Sequence, residues 1–528
     1  KSERTDGAGC FVRVYIKGLE KTPAYRVYHE WYRSGDPALL KWLLSFLCFG
    51  KTAAFKRPEL KSQSFSAWLE NEGRLEKLEL SPVAVRNLAR VTAWLLEGYK
   101  TDLRKFTPHH GPGEVAERVG RGVELKNSIL GFPDAMRKRY LGFGDYSLYP
   151  DFQGYYDFDD RPSELTFVDK DYKSLRTINM LPAGTMYLEQ GVRDQLYAFF
   201  EDGRIGRFCH LRDQRYNQRA SHFGSVTRQI DTIDLSSASD LVSWSLVSST
   251  FPQNLLVDLE TLRSPLVRYR GKTLFQMKYA PMGSALCFPV QCIVFCAIVI
   301  ASGLSHCLGQ DLQVDDLPDN PVEELFHCFY TESRRDPRSR LAFPTIFGDD
   351  ICLDKRQTSS TMRDLESLGF LVNVGKSFTG SDTFRESCGK FYSNGKDVSM
   401  LKYRGGIPKT GKLDMAGLAG VIDQANHAHD FGYRNLRRYY VLMALRHPVY
   451  GLSPQRCGRN PVLFSNGENE TMAIKFDTNA LYQNRHLRRL WDTHLFEGMI
   501  QSISVQPSDV LRHTLQYQNY GYLQWQRA

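Results

Sequence analysis

Pro344-Thr-Ile-Phe-Gly-Asp-Asp-Ile-Cys-Leu-Asp354 holds two short apolar runs, Thr345 to Phe347 and Ile351 to Leu353, around Gly348, Asp349 and Asp350. Strand-like runs on either side of a Gly-Asp pair predict a tight β-hairpin. Its turn then carries adjacent carboxylates, which repel each other and need compensation if a rigid tip holds them together. A divalent cation supplies that compensation, and hard oxygen ligands suit magnesium. Alone the tripeptide is weak, because Gly-Asp-Asp arises by chance in roughly one chain in ten of this length. A plain polar turn is an equal reading until other residues agree.

Agreement comes from upstream. In Ile230-Asp-Thr-Ile-Asp234-Leu-Ser-Ser-Ala-Ser-Asp240, Asp234 lies between Ile233 and Leu235, as a carboxylate at a strand end would. Burying it there without a partner is costly, which favours a function over a packing role. Asp240 follows in a segment able to open a helix, with Ser236 or Ser237 as cap. Ala280-Pro-Met-Gly283-Ser284-Ala forms a loop, and Ala285 to Leu304 behind it is almost entirely apolar. That run has the length of a membrane span, about 20 residues. Pro289 and Gln291 interrupt it, so a helix buried in a globular domain is the better reading. Downstream of the hairpin come a helix from Thr361 to Leu368, Lys376, the stretch Phe384-Arg-Glu-Ser-Cys-Gly389-Lys, and a turn at Asn394-Gly395.

Further out, Leu39 to Phe49 is an apolar block of helical length. Ser81-Pro82 predicts a helix start, with serine as N-cap, running from Val83 to Tyr99. His109-His110-Gly-Pro-Gly113 reads as a turn whose backbone is able to cradle a phosphate, a plain turn being the simpler reading. Residues 145 to 162 read as a loop or lid. Lys170-Asp-Tyr-Lys173-Ser-Leu-Arg176 spaces three cations at every third residue, able to line a channel for triphosphate or to form an exposed basic loop. Residues 308 to 340, acid-rich and then arginine-rich, read as a surface insertion. From about 411 the chain reads as helical and basic, with an aromatic and polar tail from Tyr517 to Trp525. Such interleaving suits single-stranded nucleic acid.

Composition sets the class. A chain of 528 residues with 42% hydrophobic content has ample material for a core, and a net charge of +9 favours a polyanionic partner. The 11 cysteines show no CxxC pair and no zinc-like spacing, and Cys292 and Cys296 read as buried packing residues in a reducing compartment. No apolar h-region follows Lys1-Ser-Glu-Arg, so neither a signal peptide nor membrane association is expected.

Two strands delivering Asp234 and Asp349-Asp350 to one point make a two-metal site for in-line nucleotidyl transfer, in which positioning and charge neutralisation carry the catalysis. At this point the sequence resembles the catalytic subunit of the RNA-dependent RNA polymerase of positive-strand RNA bacteriophages, the Qβ-like leviviruses. The shared stretches are Lys170 to Arg176, Asp213-Gln214 with Asn217-Gln-Arg219, Thr232 to Asp240, Met282-Gly283, Phe347-Gly-Asp-Asp350 and Phe384 to Lys390, with His110-Gly-Pro-Gly113 also similar.

The resemblance implies an α+β right-hand polymerase. Residues 1–225 would form the N-terminal region and fingers. Residues 226–410 would form the palm, an antiparallel sheet flanked by helices, with part of the fingers at about 250–280; residues 411–528 would form a helical thumb and C-terminal region. It implies that Asp234 and Asp349 bind two magnesium ions, with manganese as the substitute, and that Asp350 lies close by. Lys170, Lys173 and Arg176 would meet the triphosphate. Asp240 and the Gly283-Ser284 loop would sense the ribose 2′-hydroxyl, and Lys376 would donate a proton to pyrophosphate.

Two positions depart from the pattern of many viral RNA polymerases: Cys287 and Gln291 stand where Thr and Asn are common. Gln291 retains hydrogen-bonding capacity toward ribose or Asp240, whereas Cys287 is a poor donor. Phe347 stands where the phage family commonly has Tyr. The implied partners are RNA template and product, nucleoside triphosphates, the host elongation factors Tu and Ts, and ribosomal protein S1, in the cytoplasm of an infected bacterium. Two rival readings are a reverse transcriptase, against which Asp240 in place of a bulky aromatic argues, and a non-catalytic RNA-binding or packaging protein, which leaves the acidic strand ends without an account.

Overall fold

A computed structural model gives the fold; it describes residues 19–52, 57–120, 122–141, 162–171, 173–279, 281–308, 344–403 and 415–444, with 12, 16, 452, 453, 463 and 464 besides. The expected lid at 145–162 and insertion at 308–340, apart from residues 162 and 308 themselves, lie outside the described residues, as do the basic residues from Arg485 onward and the tail Tyr517 to Trp525. The chain divides into two compact units, one of residues 1–47, 57–169 and 174–400, the other of 48–56, 170–173 and 401–528.

The first unit mixes helices with mostly antiparallel sheets. Its helices include α1 (Pro23–Ser34), α2 (Pro37–Cys48, which runs one residue past the unit), α3 (Glu59–Glu76), α4 (Pro82–Leu95), α5 (Ala183–Asp202), α6 (Arg215–Thr227), α7 (Trp244–Thr250), α8 (Gln253–Leu262), α9 (Cys287–Leu308) and α10 (Thr358–Ser367). α4 starts where the sequence predicts, with Pro82 in the first turn, but the Ser81 side chain makes no capping bond and the helix ends at Leu95 rather than Tyr99. Proline at the first helical position already lacks an N–H to satisfy, so the start does not depend on that cap.

The strands are β1 (Ser163–Asp169), β2 (Leu175–Met180), β3 (Ile230–Ile233), β4 (Leu235–Ser236), β5 (Leu266–Tyr269), β6 (Lys272–Phe275), β7 (Thr345–Phe347), β8 (Asp350–Asp354), β9 (Leu371–Val372), β10 (Phe384–Ser387), β11 (Lys390–Ser393) and β12 (Lys396–Asp397). They form sheets in the orders β2-β1-β5-β6, β3-β8-β7, β4-β9 and β10-β11-β12. The sheet β3-β8-β7 is antiparallel throughout, and β8 is its middle strand.

That middle strand is covered on both faces. Ile351 and Leu353 join Ile346 and Ile233 in the main core, while Cys352 points the other way, against Ala220 of α6 and Ile230. A strand buried on both faces reads as a continuous apolar run rather than an alternating one, which is why Ile-Cys-Leu shows no period of two. α9 lies along the core side, with Phe295 against the Phe370 ring at 5.0 Å and Leu88, Val91 and Leu95 of α4 in the same cluster. By length and composition α9 is apolar enough to cross a membrane, but 89% of that window is buried within the protein. Each Leu or Ile so enclosed contributes about 1.5–3 kcal/mol of transfer free energy.

The second unit contains the helices Met415–Asp430 and Arg434–Ala444, which pack on each other. Gln424 donates to the carbonyl of Lys402, and the Phe49 and Tyr403 rings meet at 5.9 Å.

Candidate active site

β7 and β8 form the predicted hairpin, with Phe347 paired to Asp350. Gly348 and Asp349 are its turn, and Asp350 is the first residue of β8 rather than part of the tip. Gly348 has φ +64°, a left-handed conformation, and a Cβ there would lie 2.9 Å from the Phe288 ring and 3.6 Å from the Gln291 amide. Backbone angle and space together therefore require glycine. Its N–H donates to Cys292 Sγ at 3.2 Å, fastening the tip to α9.

β3 pairs with β8 through Ile233 and Ile351, and one residue further in the same register Asp234 comes opposite Asp350. The chain leaves β3 at Asp234 and enters β4, so the acid stands where the strand breaks. Its backbone carbonyl accepts from the Asn373 N–H at 2.9 Å, and its N–H donates to Ser377 Oγ at 3.2 Å. Its side chain accepts from Asn373 Nδ2 at 2.7 Å, and Lys376 Nζ stands 3.5 Å away.

Electrostatics tie the group together. Burial raises the Asp234 carboxyl above its ordinary range; the Lys376 ammonium opposes this and Asp349 adds to it. Asp350 is raised by burial and then by Asp349, against the Cys388 N–H that donates to its Oδ1 at 3.1 Å. A fourth acid joins them. Glu386, half-buried on β10, is raised by burial and then by Asp350 and Asp234, with Lys376 pulling the other way. Lys376 is lowered by burial, but Asp234 and Glu386 outweigh that and hold its ammonium above the usual range. Four carboxylates thus feel one another's charge with one lysine among them. Repulsion of this kind is relieved by protons or by a bound cation. The all-oxygen donor set fits magnesium. Among the described residues no three such side chains already close on a single point, so a cation would have to draw them inward.

Residues that the sequence reading used only as landmarks hold this group in place. Asn217 of α6 is buried, and its Nδ2 reaches the carbonyls of Asp350 at 2.9 Å and Thr345 at 3.3 Å and Ser387 Oγ at 3.3 Å. Gln218 donates to the Cys388 carbonyl at 3.3 Å. Arg385 is wholly buried, its guanidinium on Asp231 at 3.0 Å and on the Ile230 carbonyl at 2.7 Å, which locks β10 to β3. Cys388 and Gly389 (φ +49° and +74°) make the tight turn from β10 to β11 that aims the Cys388 N–H at Asp350. The turn at Asn394-Gly395 is present as predicted, both residues at positive φ.

The remaining candidates divide. Gly283 (φ +120°) packs so tightly on β2 that a Cβ would meet the Asn179 carbonyl at 2.0 Å. Ser284 donates to Glu189 Oε1 at 2.8 Å, and Glu189 Oε2 accepts the Ala285 N–H at 2.7 Å. Burial pushes the Glu189 carboxyl up to about 8 against these two hydrogen bonds. Gln291 reaches the hairpin tip, near Gly348. Asp240 is buried in a different set of bonds, taking the Lys278 ammonium on Oδ1 at 2.6 Å. Arg176 is exposed on β2; Lys170 and Lys173 are exposed and belong to the second unit. At the turn from Gly111 to Gly113, read as a plain turn or a phosphate cradle, both glycine carbonyls accept from the buried Lys126 Nζ, at 2.7 and 2.6 Å.

Glu386, Asn217 and Glu189 were not singled out from sequence. Two of them left a signal there: Glu386 as the one acid in the Phe-Arg-Glu-Ser-Cys-Gly-Lys stretch, and Asn217 as the first residue of Asn217-Gln-Arg219.

The family described as RNA replicase, beta-chain, matches residues 155–314 and 340–413. The RNA-directed RNA polymerase subunit beta of Escherichia virus Qbeta is 29% identical over 51% of this chain and 41% of its own length. The RNA-directed RNA polymerase beta chain of Escherichia phage MS2 is 31% identical over 44% of this chain and 36% of its own. The chain therefore spans less than half the length of these relatives. Among solved structures, the RNA-dependent RNA polymerase of a human picobirnavirus aligns with TM-score 0.41 and 12% identity, covering 82% of this chain and 83% of that one. The region similar to the RNA replicase beta-chain family, residues 155–314 and 340–413, carries all four carboxylates and Lys376.

Proposed function

We propose that the chain is a template-directed RNA polymerase that copies a positive-strand phage RNA in the cytoplasm of an infected bacterium. The observation that carries the reading is the meeting of Asp234, at the end of β3, with Asp349 and Asp350 on the adjacent hairpin, across more than a hundred residues of sequence. In this reading the sheet β3-β8-β7 with α6, α9 and α10 is the floor of a right-hand palm. Residues 1–225, with about 250–280, are the fingers, and 411–528 the thumb.

Asp234, Asp349 and Asp350 would hold two magnesium ions, or manganese in their place, which when bound supply the positive charge needed to activate a 3′-hydroxyl and neutralise a triphosphate. Lys376 keeps a proton on Nζ beside Asp234, which suits a donor to pyrophosphate. Lys170, Lys173 and Arg176 meet the triphosphate. Asp240, Gly283, Ser284 and Gln291 form the sugar-facing side. Glu189 fixes the loop of Ser284 from behind. Elongation factors Tu and Ts, and ribosomal protein S1 for template choice, are partners that the family resemblance brings.

Primer extension by the isolated chain with magnesium, with and without bacterial extract, tests chemistry and partner dependence together. Asp349→Asn is expected to abolish incorporation while RNA binding survives. Near wild-type synthesis by that variant would remove the metal assignment. Preference for deoxyribonucleotides would favour a reverse transcriptase, and RNA binding without any magnesium-dependent synthesis a packaging protein.

A further inference from the structure

Lys278 is fully buried, and its ammonium lies 2.6 Å from Asp240 Oδ1 and 3.1 Å from Glu72 Oε1 of α3, over the Trp68 ring at 5.1 Å. Its backbone is fixed as well. Residues 277 to 279 run against 242 to 244, with Trp244 N–H on the Met277 carbonyl at 2.8 Å and Tyr279 N–H on the Val242 carbonyl at 2.7 Å. Arg263 donates to the carbonyls of Gln276 and Lys278, at 2.6 and 3.1 Å. Glu72 also takes the Met277 N–H on Oε2 at 2.5 Å.

A buried ion cluster of this kind is a poor source of stability, since well-packed apolar side chains of similar size usually do as well. What it does supply is a fixed geometry. Charge-assisted bonds in a dry site hold both partners in one rotamer. Here the ammonium occupies one oxygen of Asp240, and among the described residues no hydrogen bond reaches the other, Oδ2. Glu72 restrains the ammonium from the far side, so Lys278 is not free to leave with a ligand. The backbone from Lys278 runs on into the Gly283-Ser284 loop, and Cys287, at the position where a hydroxyl donor is common, lies within electrostatic reach of Asp240 but is a poor donor to orient it.

We propose that Lys278 is a positioning residue for sugar selection: it holds Asp240 in the one rotamer that offers an acceptor to the 2′-hydroxyl of the incoming ribonucleotide, and Glu72 holds Lys278. This rests on the reading of Asp240 as the ribose-facing acid. It assigns the orienting task, which Cys287 performs poorly, to a cation anchored outside the loop.

The test is template-directed primer extension by the full chain, comparing kcat/KM for a ribonucleoside and the matching deoxyribonucleoside triphosphate. Lys278→Met is expected to lower the ribo/deoxy ratio about tenfold, the worth of one well-formed buried hydrogen bond, chiefly through KM for the ribonucleotide. Lys278→Met strands two buried acids and can fail to fold. The double variant Lys278→Met, Glu72→Gln keeps the cluster's net charge at its wild-type value and is expected to melt closer to wild type with the same lost ratio. Asp240→Asn separates the two layers of the argument. If it collapses the ratio while both lysine variants keep it, or if the lysine variants slow both sugars equally, the role given to Lys278 is overturned and that of Asp240 stands. If Asp240→Asn leaves the ratio unchanged, the ribose-facing reading falls and the role of Lys278 with it.

Discussion

Asn217 is the residue on which the Gly348-Asp349 hairpin hangs, and its replacement gives a sharp test. Its amide nitrogen is a buried donor surrounded by acceptors from three segments: Asp350 O at 2.9 Å, Thr345 O at 3.3 Å and Ser387 Oγ at 3.3 Å. Asn217→Ala leaves those acceptors buried and unmet, at about 1–3 kcal/mol. Asn217→Asp is nearly isosteric, yet it turns the donor into an oxygen facing carbonyl oxygens, with the Asp350 carboxylate in the same neighbourhood. It should therefore cost more than alanine despite filling the space better. Hydrogen exchange of the amides in 345–354 reads this locally. A loss of 1–3 kcal/mol corresponds to a roughly 5- to 150-fold fall in protection for Asn217→Ala, with a larger fall for Asn217→Asp. Magnesium-dependent incorporation should fall in the same order, because a displacement of about 1 Å at reacting groups costs on the order of a hundredfold in rate. Wild-type protection in both variants, or alanine proving worse than aspartate, would refute the reasoning.

Three further outcomes follow from the same geometry. Gly348→Ala places a methyl 2.9 Å from the Phe288 ring in a left-handed backbone; this costs about 1–2 kcal/mol for the conformation alone and should lower incorporation far more than it lowers the melting temperature. Arg385→Met strands the buried Asp231 and should cost about 3–5 kcal/mol in urea titration, with Asp231→Leu on top recovering part of the loss. The buried His110 is pushed down to about 4 by desolvation and then by the Lys126 ammonium. Between its ordinary value near 6.5 and about 4 the unfolded chain takes up a proton that the folded chain refuses, so stability must fall as pH drops through that window. His110→Gln should flatten this fall relative to wild type, by roughly 2–4 kcal/mol at its acid end.

The acids at the centre were legible in sequence because strand breaks and turns are local. Ile233-Asp234-Leu235 and Phe347-Gly348-Asp349 each announce their geometry within a few residues. The apolar run that became α9 was legible for the same reason. Glu386 and Asn217 lie in stretches marked out by the resemblance, but their roles were not legible, nor were Glu189 and the pairing of Glu72 with Lys278, because those roles depend on partners far away in the chain. Glu386 lies among the other acids on a strand whose preceding residue, Arg385, is pinned to Asp231. Glu72 lies on an ordinary helix until Lys278, 206 positions later, comes beneath it. The turn at Gly111 to Gly113 was legible as a turn, but not its partner: a glycine-rich bend offers carbonyls as readily as N–H groups, and here the buried Lys126 takes two of the carbonyls.

The order in which the pieces of the hairpin's support occur along the chain has a consequence for its making. Asp234 leaves the ribosome long before β8 exists to stand beside it, and Asp350 must wait for Cys388 to receive its backbone N–H. Contacts so distant in sequence form late and slowly. A nascent chain that stops short of β10 therefore carries Asp234, Asp349 and Asp350 with Asn217 to hold the hairpin, but lacks Glu386 and the Cys388 N–H on the Asp350 carboxylate, so the acidic cluster is completed only when the last of its strands is made.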